Sequence, residues 1–101
     1  MGIEEVVKNI ELIADTFGLK SQQLKLIEEL GELTRELSKD LANNRNISDN
    51  TLSEIADVKI LLNQLLYLVE KEDINVYEKL RSNTEYKLER TMQRINEGYY
   101  K

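Results

Sequence analysis

Thr51-Leu52-Ser53-Glu54-Ile55-Ala56-Asp57-Val58-Lys59-Ile60-Leu61-Leu62-Asn63-Gln64-Leu65-Leu66-Tyr67-Leu68-Val69-Glu70 is the stretch on which the fold turns. Leu52, Ile55, Val58, Leu61, Leu62, Leu65, Leu66, Leu68 and Val69 recur at intervals of three and four, the period of an α-helix. Their arc is the widest in the chain, which predicts that this helix is the most buried element. One residue interrupts it. At about 100° per residue, Glu54 falls between Leu61 and Leu65, and Asp57 lies at the edge of the arc. A lone carboxylate on a buried face is costly unless it is paired or coordinated. The competing explanation is a capping box, Thr51-Leu52-Ser53-Glu54, with Glu54 folded back onto the Thr51 backbone N–H. That explanation fails if the helix starts earlier, at Ser48 or Asp49.

Outward from this segment, Asn43-Asn44-Arg45-Asn46-Ile47-Ser48-Asp49-Asn50 is polar, aperiodic and rich in turn formers, and reads as a loop. Before it, Leu26, Ile27, Leu30, Leu33, Leu37 and Leu41 mark a helix that Ser21 is placed to cap. Ile3, Val6, Val7, Ile10, Ile13, Ala14 and Phe17 mark the first helix, which Gly18 ends. After Lys71-Glu72-Asp73, a last helix from Asn75 to Asn96 carries Tyr77, Leu80, Leu88, Met92 and Ile95. Gly98 closes it and leaves Tyr99-Tyr100-Lys101 as a tail. With no Pro and four Gly, the chain lacks the turn chemistry of an all-β fold. The fold class expected is all-α, a four-helix bundle in one domain spanning residues 1–101. A core this small gains stability by oligomerising, and the broad arc of the third helix points to a dimer.

Composition removes whole classes of chemistry. The chain has no Cys and no His, so it can form neither a disulfide nor a nitrogen-and-sulfur zinc site. Ser-His and Cys-His nucleophiles are excluded, as is a di-iron site built on Glu-x-x-His motifs. Catalysis must rest on carboxylates, amines, hydroxyls or a hard metal ion held by oxygen. A net charge of −5 argues against a nucleic-acid partner. No stretch approaches the roughly 18 consecutive apolar residues of a membrane span. Met1-Gly2-Ile3-Glu4-Glu5 lacks the features of a signal peptide, so the expected location is cytoplasmic.

Glu29 and Glu32 form one i, i+3 pair, and Glu54 and Asp57 another, each on one side of its helix. Helices joined by a short loop pack antiparallel, which lets the two pairs face each other. Four converging carboxylates repel, and a divalent cation relieves the repulsion; oxygen-only ligands favour Mg²⁺, Mn²⁺ or Ca²⁺. Spacing alone proves little, because 14 Glu in the chain generate a Glu-x-x-Glu pair about twice by chance. The bland alternative for Glu28, Glu29 and Glu32 is a solvated face supported by Lys25 and Arg35. In the last helix, Asn83, Lys87, Arg90 and Arg94 form a stripe beside the apolar face. A metal with a basic stripe suits a polyphosphate. Here the alternative is ion pairing with Glu85, Glu89 and Glu97.

Glu28-Glu29-Leu30-Gly31-Glu32, then residues 33–53, then Glu54-Ile55-Ala56-Asp57 resembles the Glu-Glu-x-x-Glu … Glu-x-x-Asp motif of the MazG-like nucleoside triphosphate pyrophosphohydrolases. Lys25-Leu26-Ile27 before the first part and Val58 after the second match the family's local context. Phe17-Gly18-Leu19-Lys20-Ser21-Gln22 and Tyr86-Lys87-Leu88-Glu89-Arg90 resemble its small phage and Gram-positive members, so the likeness covers nearly the whole chain. The resemblance implies that Glu29, Glu32, Glu54 and Asp57 ligate Mg²⁺, with Mn²⁺ as a substitute. It also implies that Glu28 orients a ligand or a metal-bound water. Lys87 and Arg90, with Arg94, would hold phosphates. Gln22, two turns before Glu29, would touch the base or sugar. Family members convert a nucleoside triphosphate to monophosphate and pyrophosphate, and assemble as homodimers or homotetramers.

The reaction these residues suit is hydrolysis by a metal-activated water. With no His, the base is a carboxylate or the metal-bound hydroxide. Two rival readings remain: a helical interaction module without turnover, and a sensor that binds nucleotide without cleaving it.

Overall fold

The computed structural model describes residues 1–98; the Tyr99-Tyr100-Lys101 tail lies outside them. Among the described residues there are four α-helices and no strand: α1 (Ile3–Phe17), α2 (Leu19–Ala42), α3 (Asp49–Glu72) and α4 (Val76–Asn96). The chain separates into two compact units, Met1–Val69 and Glu70–Lys101. The boundary falls inside α3, so the first unit holds α1, α2 and most of α3.

Within the first unit, α1 and α2 are joined by Gly18 alone. Its φ of 83° and ψ of 169° lie in a region essentially restricted to glycine. Its N–H donates to the Ala14 carbonyl at 2.8 Å and its carbonyl accepts from Gln22 N–H at 3.0 Å, so it ends one helix and starts the next. Ser21 is therefore not the cap expected of it. It lies inside α2, which has no side-chain cap.

The loop between α2 and α3 is organised by a residue that periodicity does not flag. Asp40, only 2% exposed, accepts from the Thr51 hydroxyl at 2.6 Å and from Ser48 N–H at 3.2 Å. Its other oxygen pairs with Arg45 Nε at 2.7 Å. The Thr51 and Arg45 bonds hold its carboxyl well below the ordinary carboxylate range. Ser48 caps α3, its Oγ accepting from Thr51 N–H at 3.2 Å. Asp49 is thus the first helical residue, two earlier than the periodicity suggests, and the capping box of Glu54 on Thr51 does not form.

The apolar stripe expected of α2 is also displaced. Leu26 is buried and Leu33 partly so, but Ile27, Leu30, Leu37 and Leu41 are exposed. The inward face runs through Gln22, Leu26, Glu29, Leu33, Glu36 and Asp40, a strict alternation of four- and three-residue steps. Polar and apolar residues share it, so hydrophobicity alone points to the neighbouring leucines. α3 answers with Thr51, Glu54, Val58, Leu61, Leu65 and Leu68 at the same spacing, and carries more buried residues than any other helix. Leu26, Val58 and Leu61 form the core, flanked by Leu33 and Leu65; each buried side chain is worth roughly 1.5–3 kcal/mol. α1 contributes buried Ala14, and Tyr67 Oη donates to Asp15 Oδ2 at 2.8 Å, tying α3 to α1.

In the second unit, Asp73 receives Asn75 N–H at 3.1 Å and Lys79 Nζ at 2.6 Å, shaping the start of α4. No residue of α4 is buried; Tyr77, Leu80, Leu88, Met92 and Ile95 are all exposed. None of the described helices is long and apolar enough to cross a membrane.

Candidate metal centre

The matched spacing of α2 and α3 brings Glu29, Glu54 and Asp57 together, one carboxylate oxygen of each lying within 4.8 Å of the others. The Glu29 side chain is 12% exposed. Glu54 Oε2 is buried and has no hydrogen-bond partner. Since α3 starts at Asp49, backbone capping does not account for this carboxylate. Its carboxyl is held above the ordinary range, first by the adjacent Glu29 carboxyl, with which it can share a proton. Burial and the charges of Glu29, Asp57 and Glu32 push in the same direction.

The other acidic positions are arranged differently. Glu32 is exposed and stands outside the group of three, acting on Glu54 through its charge. Glu28 is exposed as well. Lys25 Nζ lies 3.5 Å from Glu28 and 3.3 Å from Glu29, so the supported helix face is real and coexists with the cluster. Those two carboxylates raise the Lys25 pKa, Glu29 most of all. Lys25 gives Glu29 a partner but leaves Glu54 Oε2 without one. Three hard oxygen donors, one of them orphaned, fit a hard divalent cation such as Mg²⁺ or Mn²⁺.

A cavity of about 350 Å³ adjoins the cluster and shares Glu29 and Asp57 with it. Ile13, Phe17, Ile60 and Leu61 supply apolar surface. Gln22, 4% exposed, and Gln64, 2% exposed, also line it. Gln22 Oε1 has no hydrogen-bond partner. Gln22 was legible from its spacing to Glu29. Gln64 was missed although it follows Asp57 by seven residues, because, like Asp57, it falls at the edge of the apolar arc rather than inside it. Asp40 was missed because it sits in a polar run where nothing marks it as buried.

Lys87, Arg90 and Arg94 lie on α4, in the second unit. The Arg90 guanidinium carbon sits 5.7 Å from the centroid of the Tyr86 ring. Glu85 pairs with Arg81 at 3.3 Å and Glu97 accepts from Gln93 at 3.1 Å. Comparison of the chain with protein families, with curated proteins and with solved structures finds no match.

Proposed function

We propose that this protein hydrolyses a nucleoside triphosphate to the monophosphate and pyrophosphate, with Mg²⁺ held by Glu29, Glu54 and Asp57 and assisted by Glu32. The observation that carries the reading is Glu54: a buried, unpartnered carboxylate oxygen beside two further carboxylates, on the face that packs Val58, Leu61 and Leu65 into the core. Such an arrangement is unfavourable in isolation and becomes favourable around a cation. The resemblance of Glu28-Glu29-Leu30-Gly31-Glu32 and Glu54-Ile55-Ala56-Asp57 to the MazG-like motif supports it independently.

When bound, Mg²⁺ supplies charge neutralisation for phosphate oxygens and acidifies water. The chain's own groups do the rest. Glu28, exposed at the side of the cluster, orients the attacking water, and a carboxylate accepts its proton, since the chain has no His. The bond broken joins the α- and β-phosphoryl groups. Lys87, Arg90 and Arg94 are the phosphate-binding positions that the resemblance assigns, and Gln22 is the base or sugar contact.

The test is pyrophosphate release across standard and modified ribo- and deoxyribonucleoside triphosphates with Mg²⁺. Glu54→Gln and Asp57→Asn should each reduce turnover by roughly 100-fold or more, the scale of losing several kcal/mol of metal-derived stabilisation. Glu32→Gln should have a smaller effect than either. Equal background release by wild type and all three variants refutes the enzyme. If Mg²⁺-dependent nucleotide binding survives without release, the protein is a sensor.

A further inference from the structure

The leucine core and the carboxylate cluster share the seam between α2 and α3, and the end of that seam nearest the loop is held by different means. None of the apolar residues from 34 to 53 is buried; Leu37, Leu41 and Leu52 are all exposed. What is buried there is polar: Asp40, 2% exposed, and Thr51, fully enclosed. The Thr51 hydroxyl donates to Asp40 Oδ2 at 2.6 Å, a charge-assisted bond that joins the two inward faces. Ser48 N–H and Arg45 Nε complete the carboxylate, and Ser48 Oγ lies 3.0 Å from Thr51 Oγ1.

Closing the loop does not require the Thr51 bond. Arg45 and Ser48 already tie Asp40 to the loop, and Ser48 caps α3. The Thr51 bond reaches further, to the inward face of α3, three residues before Glu54 on the same side of the helix. A pair of leucines there would hold the helices together with less desolvation, but apolar contacts permit sliding and rotation. A fully satisfied polar network restrains both.

The neighbouring cluster makes that restraint consequential. Glu29, Glu54 and Asp57 bring like charges within 4.8 Å of one another, and their repulsion acts to part or turn the two helices. The apolar core at Leu26, Val58 and Leu61 resists parting on one side. The Asp40–Thr51 bond resists it on the other and also opposes rotation of α3. Mg²⁺ tolerates little departure from octahedral geometry, so ligands drawn from two helices must be held in a fixed rotation and register.

We propose that Asp40 is a positioning residue for the candidate metal centre: through Thr51 it fixes the rotation and register of α3 against α2, and so keeps Glu54 and Asp57 turned toward Glu29. This rests on the metal reading for the identity of the ligand, while the positioning itself can be read without metal.

The experiment titrates the full chain and its Thr51→Val and Thr51→Ser variants with Mg²⁺ alone by calorimetry, well below their thermal midpoints. Both variants should be less stable than wild type, the first because Asp40 loses a donor and the second because a buried methyl is removed. Only Thr51→Val should weaken Mg²⁺ binding, by roughly 10- to 100-fold, the scale for lost outer support of a metal ligand. Thr51→Ser keeps the hydroxyl and should bind as wild type does. In the metal-free proteins, nuclear Overhauser contacts between the Glu29 and Glu54 side-chain methylenes should persist in Thr51→Ser and fade in Thr51→Val. If Thr51→Val does not fold, Thr51→Ala set against Thr51→Ser makes the same comparison. Equal weakening by both substitutions, undiminished Mg²⁺ binding without the hydroxyl, or Glu29–Glu54 contacts that survive its loss overturns the proposal. A wild-type protein that binds no Mg²⁺ condemns the metal reading instead, and the metal-free contacts then decide the positioning alone.

Discussion

Glu54 and Asp40 are both enclosed carboxylates, and their protonation pulls stability in opposite directions. Glu54 has its folded pKa raised above the ordinary 4.5, so the folded state binds the extra proton. Its contribution is therefore greatest below 4.5 and is lost as pH rises through the elevated value. Asp40 has its folded pKa lowered from 3.8; its contribution is full above 3.8 and is lost as pH falls toward the depressed value. The thermal midpoint of the metal-free protein should then fall as pH rises from 4.5 through the elevated Glu54 value, and fall again as pH drops below 3.8. Glu54→Gln should flatten the alkaline side of that profile, and Mg²⁺ should do the same by stabilising the ionised cluster. A midpoint that climbs steadily to pH 7 in wild type without metal contradicts this account. Asp40→Ala strips the partner from Thr51, Ser48 and Arg45 together, and should lower the midpoint at pH 7 by about 10 °C or more. Glu54 was readable from sequence because it breaks an apolar arc. Asp40 was not, because its partners lie on the far side of a loop whose path is unknown until the helices are placed.

At the scale of the helices, one cap and one seam carry the first unit. Ser48→Ala removes the side-chain acceptor of the Thr51 N–H at the start of α3 and should cost about 1 kcal/mol. Leu26→Ala or Leu61→Ala opens the core between α2 and α3 and should cost roughly 2–5 kcal/mol, read by denaturant unfolding. Losses well below 1 kcal/mol for both leucines are incompatible with a seam centred there. All four helices were legible as runs of apolar periodicity, and their ends fell within about two residues except at the start of α2, which Ser21 placed three residues late. The inward face of α2 was not legible. Its Gln22, Glu29 and Asp40 lie on the stripe that also holds Leu26 and Leu33, while Ile27, Leu30 and Leu41 gather on the adjoining, exposed flank. A rule that seeks hydrophobic residues selects the wrong side when the buried side is partly chemical.

For the molecule as a whole, the exposed apolar residues bear on assembly. Ile27 and Leu24 on α2, and Leu88 and Met92 on α4, are more than half exposed. Amphipathic helices do not leave such surface open at low energetic cost. Homo-oligomerisation into a dimer or tetramer is the expected outcome in sedimentation velocity at micromolar concentration. Ile27→Glu and Leu88→Glu, made separately, assign the interface to one unit or the other by which of them shifts the species toward monomer. A wild-type protein monomeric throughout the concentration range rules the assembly out. The small core and the broad arc of the third helix lead to the same expectation; Val58, Leu61 and Leu68 of that arc are buried within its own unit, while Leu52, Ile60 and Leu62 stay exposed.

Gly18 couples chain length to the site in a way that side-chain chemistry does not. It is the sole residue between α1, which ends at Phe17, and α2, which brings Gln22 to the same cavity. A Cβ at Gly18 meets nothing within 4 Å, so the constraint there is backbone torsion rather than space. An added or deleted residue would advance or retract one helix by about 1.5 Å and turn it by about 100°, changing how Phe17 and Gln22 meet around the cavity that both line. Relatives that keep the same ligand should therefore vary freely in residue type along the outer side of α2 while admitting no insertion or gap between positions 17 and 19.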